Sequence, residues 1–279
     1  MSIYAYDPNQ NYLIAALPEN DFERMEPHLE LIKVKTGDVL YESGGRLPYV
    51  YFPVTSTISL QNLMENGSSS EIAGIGREGM LGTMLLMGGQ TMPCRALVQI
   101  AGYAYRVRAD VLLREFNQTG ATFRLLLRYT QSLITQTTQT AVCNRHHSIE
   151  QQLCRWLLLT NERVNCDEIA VTQEAIANVL GVRREGITEA AGYLQDLRYI
   201  SYRRGHITIL NQRGLEEHVC ECYGVVKKEF HRLMDHACES HAHRTPGIRL
   251  LSPIFPPTFP PVIPPVYPPT GLMSNQWRK

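Results

Sequence analysis

The chain has 279 residues, 44% of them hydrophobic, and its 27 Lys and Arg balance 27 Asp and Glu. That size supports one or two ordinary cores, and the composition is that of a globular protein, with length slightly favouring two domains. No apolar run approaches the ~18 residues of a membrane span, and Met1 to Asn11 lacks the basic and apolar regions of a secretory leader, so a cytoplasmic protein without a membrane partner is expected.

In chain order, Asp21 to Leu31 has the helix-compatible spacing Phe22, Met25, Leu29, interrupted by Pro27. From Leu31 to Val107 short apolar runs alternate with turn residues. Ile32–Val34, Val39–Tyr41, Tyr49–Phe52, Thr57–Leu60, Glu71–Ile75, Arg95–Ile100 and Tyr103–Val107 are predicted strands, separated by Gly37, Gly44-Gly45, Pro53, Asn66-Gly67 and Gly102. This is the pattern of a β jelly-roll barrel, spanning 13–115.

Beyond Asp110 the period changes from two to three and four. Phe123, Leu126, Leu127, Thr130, Leu133, Ile134, Thr137 and Ala141 mark a long helix, over 116–145, with a seam suited to a second copy of itself. The competing reading is a helix packed on its own barrel. Ser148 and Gln151 form a capping box that opens a further helix with the apolar face Ile149, Leu153, Trp156, Leu157, Thr160, and a second domain is expected over 146–214 after a polar turn at Asn165 to Glu168. A C-terminal helix follows over 215–243. From 244 to 279, ten prolines between Pro246 and Pro269 in a P-P-x-x repeat predict an extended or disordered tail, dispensable for folding. The fold class is therefore α+β: barrel, long helix, then a helical domain.

The chemistry concentrates at Val171 to Leu194. Thr172 can cap a helix that buries Ile176, Val179 and Leu180, with Glu174 near the positive end of its dipole. Ala177 is small where a second helix crosses, Gly181 permits a tight turn, and Val182 fills the angle. The next helix is expected to bury Ile187, Ala191, Leu194 and Leu197. Helix, glycine turn and helix at this spacing form a helix-turn-helix. Burial of Ile187 and Ala191 leaves Arg183, Arg184, Glu185, Thr188 and Glu189 outward at the end that enters the major groove of double-stranded DNA. Arginine reads guanine through two parallel bonds and glutamate accepts from the cytosine amino group, so these five are the candidate base readers. Tyr199 to Leu210 reads as two strands around R-R-G-H, a wing whose Arg203, Arg204 and His206, with Thr172 and Gln173, are candidate backbone contacts. The basic charge that the balanced chain does not show as a whole is present where this motif needs it.

V-T-Q-E and L-G-V-R-R-E, with the wing behind them, resemble the Crp/Fnr family of bacterial regulators, and the resemblance extends from Leu13 to Met234 in domain order. In the barrel G-R-E-G-M-L-G (Gly76 to Gly82) and Arg95-Ala96 are similar to the phosphate cassette of cyclic nucleotide-binding domains. The resemblance implies a homodimer that recruits or blocks RNA polymerase at palindromic operators. It also implies an effector pocket at Gly82, Thr83, Cys94, Arg95 and Ala96. In the cyclic AMP-responsive type a glutamate after the cassette glycine grips the ribose and an arginine-serine pair holds the phosphate. Here Thr83 follows Gly82, and the pair falls ambiguously on Pro93, Cys94 and Arg95, so cyclic AMP is not the expected effector. Arg184 and Glu185 match the family's base readers, whereas Glu189 stands where arginine is common, which predicts a shifted operator.

Other chemistries find less support. His28 is the only histidine before His146, too few for a metal-binding barrel enzyme, and no enzyme is expected. The family's iron–sulfur sensors use an N-terminal cysteine cluster, and no cysteine precedes Cys94. Seven cysteines without a C-x-x-C pair read as reduced thiols. Cys94 beside the pocket reads as a small buried hydrophobe or, less readily, a redox sensor. His231, His236, Cys238, His241 and His243, with Cys220 and Cys222 upstream, fit no standard zinc spacing, and no metal is expected. The rival from another class is a ligand-binding signalling module whose winged helix contacts proteins.

Overall fold

The computed structural model describes residues 6–164 and 168–238, and side chains as far as Met234. The proline-rich tail, His241 and His243 therefore lie outside the described residues, as do the side chains of His236 and Cys238.

Two short helices lead in, α1 (Tyr12–Ala15) and α2 (Glu19–Met25). The expected helix over Asp21 to Leu31 is shorter than its apolar spacing suggested. Pro27 has no amide to donate, so α2 ends at Met25, a 3-10 turn covers Glu26–His28, and strand begins at Glu30.

Seven antiparallel strands follow: β1 (Glu30–Val34), β2 (Val39–Tyr41), β3 (Tyr49–Pro53), β4 (Thr57–Leu63), β5 (Ser69–Ile75), β6 (Arg95–Ile100) and β7 (Gly102–Arg108). They form two sheets, in the orders β1-β7-β3 and β2-β6-β4-β5. Val50, Phe52, Ile58, Leu60, Ala73, Ala96 and Val107 pack between the sheets in one core with Leu13, Ile14 and Met25 of the lead-in helices. On β4 the alternation is unusual, because Thr57, Ser59 and Gln61 are buried as completely as Ile58 and Leu60. Their face is covered by helices rather than by water.

Those helices are α3 (Ala109–Asn117), α4 (Ala121–His146) and α5 (Ile149–Val164). A left-handed Thr119 before Gly120 breaks the expected long helix at its start. Between α4 and α5, the Ser148 hydroxyl accepts from the Gln151 amide at 3.4 Å while Gln151 Oε1 accepts from the Ser148 amide at 3.3 Å, the capping box expected there.

The second core belongs to α5, β8 (Glu168–Ala170), α6 (Gln173–Leu180), α7 (Arg184–Asp196), β9 (Ile200–Arg203) and β10 (His206–Ile209). β10 pairs with both β8 and β9, so the wing is a three-stranded sheet in place of the expected two. Glu168, assigned to a polar turn from its composition, opens β8 because Ile169 is buried against Ile207. Instead of one C-terminal helix there are α8 (Gln212–His218) and α9 (Glu221–Cys238), divided at Val219-Cys220. α9 runs antiparallel along α4, with Gln131 bonded to Glu229 and Gln139 to Cys222.

Candidate nucleic-acid interface

The geometry of the interface starts at Thr172. Its hydroxyl accepts from the Ala175 amide at 3.1 Å and fixes the first turn of α6. Gly181 ends α6 in the left-handed region at φ 67°, and the Val182 amide closes onto the Ala177 carbonyl, so α7 leaves at a steep angle. Ile187, Ala190, Ala191 and Leu194 then face the core, whereas Leu197 is exposed, contrary to expectation. It lies past the last buried position of α7, and Ile200 enters the core from β9 instead.

Arg183, Arg184, Glu185, Thr188 and Glu189 are all exposed. Thr188 differs from the rest: its hydroxyl lies 3.0 Å from Gln173 Oε1 and 3.1 Å from the Arg184 carbonyl. That contact ties α7 to the start of α6 and occupies the one proton Thr188 can donate. In the wing, Arg204 (φ 49°) and Gly205 (φ 80°) form the two-residue turn between β9 and β10, a conformation glycine adopts freely. Arg203 and Arg204 are exposed at this tip. His206 Nδ1 instead lies 2.6 Å from Glu168 Oε1, so this side chain has a partner on β8.

Thr172, Gln173, Glu174, Arg184, Tyr202, Arg204 and Gly205 line an open cleft of about 550 Å³ between the helix N-termini and the wing. Two cations, two helix starts and a hydroxyl-bearing cap meet there, a combination suited to an anionic backbone. Tyr202 had not been singled out from the sequence; its hydroxyl donates to the Val171 carbonyl at 3.1 Å, and Gln195 Oε1 accepts from its amide. The signal was its position, one residue before the wing-tip arginines.

Of the five residues expected at the effector pocket, Gly82, Thr83, Cys94 and Ala96 are buried and Arg95 is half-buried. Gly82 has φ 127° with Val50 packed beneath it. Arg95 lies 3.0 Å from Glu42 Oε1, while its own Nε is buried without a partner. Cys94 is buried, and desolvation pushes its thiol up to about 11, which leaves little thiolate for redox sensing.

G-R-E-G serves as a joint. Glu78 Oε1 lies 2.9 Å from Arg163 Nε of α5, and Arg77 Nε donates to the Glu162 carbonyl at 3.1 Å. A Cβ on Gly79 would run into the Tyr129 ring of α4, whose hydroxyl donates to the Met80 carbonyl at 3.1 Å. Glu162 accepts from the Tyr223 hydroxyl and pairs with Lys227 at 3.5 Å, yet burial pushes its carboxyl up to about 7. At the other end a Cβ on Gly181 of the glycine turn would crowd Ser70 of β5 at 3.1 Å.

Family comparison agrees with this architecture. Residues 31–119 match the cyclic nucleotide-binding domain and residues 151–218 match the Crp-like helix-turn-helix domain. FixK2 from Bradyrhizobium japonicum is 16% identical with a TM-score of 0.60, over 69% of this chain and 98% of that one. A putative transcriptional regulator of the Crp/Fnr family from Eubacterium rectale is 19% identical with a TM-score of 0.53, over 75% and 98%. The c-di-GMP responsive global regulator CLP of Xanthomonas campestris is 14% identical with a TM-score of 0.56, over 69% and 99%. At these identities the likeness speaks to the fold. No curated protein matches the sequence significantly. An effector-binding domain ahead of a helix-turn-helix DNA-binding domain defines a transcription regulator. The chain belongs to the Crp/Fnr family.

Proposed function

We propose that the protein acts in the cytoplasm as a homodimer on palindromic operators, with a regulatory rather than a catalytic role. Arg184 and Glu185 read bases, Arg183 and Glu189 tune the preference, and Arg203 and Arg204 grip the phosphate backbone. The observation that carries this reading is the cleft between α6, α7 and the wing, flanked by exposed arginines with no ion pair among the described residues. Thr188 and Gln173 act by holding the two helices in register, and His206 contributes through Glu168 instead of directly. Recruitment or exclusion of RNA polymerase follows from where the operator lies.

A homodimer links two copies of α7. Selection of bound DNA from a random pool should therefore return an inverted repeat whose half-sites lie about one helical turn, ~34 Å, apart. A pool without enrichment, or a single unpaired half-site, contradicts the proposal. For the barrel, the engagement of Arg95 by Glu42 and the buried Thr83 support an effector other than cyclic AMP.

A further inference from the structure

Four side chains from distant parts of the sequence converge beside the helical domain. Cys143 and His147 lie one turn apart at the end of α4, where the His147 amide donates to the Cys143 carbonyl at 3.0 Å. Cys220 and Cys222 flank the first residue of α9. One donor atom from each of the four lies within 4.8 Å of every other. Cys143 Sγ stands 3.6 Å from Cys220 Sγ, and Cys222 Sγ stands 3.4 Å from His147 Nδ1. With zinc–sulfur bonds of about 2.3 Å, two sulfurs of a tetrahedral site stand ~3.8 Å apart, so these pairs are already at ligand spacing.

We propose that Cys143, His147, Cys220 and Cys222 bind one thiophilic divalent cation of the zinc class in a closed tetrahedral Cys3His site. Buried cysteines often act merely as small hydrophobes, but packing alone does not explain how the surrounding groups are aimed. His147 Nε2 lies 3.3 Å from Glu221 Oε2, the carboxylate–histidine arrangement that turns the other ring nitrogen toward a metal. Gln139 Nε2 donates to Cys222 Sγ at 3.1 Å. Four protein donors fill a tetrahedral shell and leave no position open for a water or substrate, the arrangement of a structural site.

The charge balances locally. Binding M2+ to three neutral thiols and a neutral imidazole releases three protons and leaves a complex of net charge minus one. Arg155 is buried with Nη1 on Thr140 and Nε unpartnered, a cation of the sign that a complex of charge minus one calls for. The ion would staple the end of α4 to the joint between α8 and α9. Metal occupancy thereby sets the pose of the DNA-binding domain on the long helix.

Titration of the reduced full-length protein with Co2+ should show one equivalent bound, with thiolate-to-cobalt charge transfer and the visible bands of tetrahedral cobalt, both abolished by Zn2+. Cys222→Ser and His147→Gln should weaken cobalt binding by at least an order of magnitude, whereas Cys94→Ser and Cys154→Ser leave it unchanged. X-ray absorption on the zinc-loaded wild type needs no variant and should find three sulfur neighbours and one nitrogen. The proposal is overturned if the reduced wild type gives no tetrahedral cobalt spectrum, if the spectrum survives in both ligand variants, or if the protein carries an iron–sulfide chromophore in place of a single ion.

Discussion

The proposal of an effector other than cyclic AMP rests on Arg95 and Thr83. A cyclic phosphate would have to displace Glu42 from Arg95, and a ribose hydroxyl would meet buried Thr83, which offers no charged acceptor. Calorimetry with cyclic AMP should therefore show no saturable binding in the low micromolar range; sub-micromolar affinity contradicts this reading. The residues that carry chemistry were unequally legible in the sequence. Arg183, Arg184, Arg203 and Arg204 were assigned to the exposed surface by subtraction, once Ile187, Ala191 and Ile207 were given to the core. For Thr188, a candidate base reader, and His206, a candidate backbone contact, nothing in the sequence reveals that Gln173 and Glu168 stand within hydrogen-bond distance. Cys143 and His147 were missed as partners of Cys220 and Cys222 because their meeting depends on α9 folding back along α4, a tertiary event without local signal.

At the scale of elements α4 is the most instructive, because its apolar stripe serves two surfaces. Leu126 and Leu133 are 1% and 7% exposed and belong to the barrel core, whereas Leu127 and Ile134 are 40% and 53% exposed. The stripe left for a partner helix therefore narrows to Phe123, Leu127, Ile134, Thr137 and Ala141, since Thr130, 6% exposed, is already buried within the chain. Thr137 donates back to the Leu133 carbonyl at 2.9 Å, so its methyl group can pack in such a seam without stranding the hydroxyl. Periodicity alone could not separate the two stripes, since neighbouring leucines differ by only 100° around the helix. Replacing Leu127 and Ile134 by glutamate should give folded monomers by light scattering, with operator affinity lost because two half-sites are no longer linked. Leu126→Glu should instead unfold the barrel, costing roughly 3–5 kcal/mol as a charge buried in an apolar core. A dimer that survives Leu127→Glu with Ile134→Glu places the interface on another face.

Across the whole molecule, effector domain and DNA-binding domain meet through polar contacts held in a buried seam. Arg163 on Glu78, Arg77 on the Glu162 carbonyl and Gly181 against Ser70 connect the cassette and the β4–β5 hairpin to the helix that supports the glycine turn. A change at the cassette therefore has a short physical route to α7. Zero net charge over the whole chain does not by itself oppose DNA binding, because Arg183, Arg184, Arg203 and Arg204 are exposed together at α7 and the wing, with Glu185 and Glu189 interspersed among them on α7. The domain order was legible from the sequence; the joint was not, since Glu78 and Arg163 are far apart in the chain and only the fold brings them together. The central claim, that α7 reads bases while the wing holds phosphates, is tested most directly by measuring operator affinity of Arg184→Ala and Arg203→Ala across a salt series. Arg184→Ala should lose about 1–3 kcal/mol per half-site and relax preference at one base pair, whereas Arg203→Ala should weaken all sequences alike and flatten the salt slope by about one per half-site. Unchanged affinity and base preference in Arg184→Ala would contradict the account and leave the winged domain as a surface for another protein.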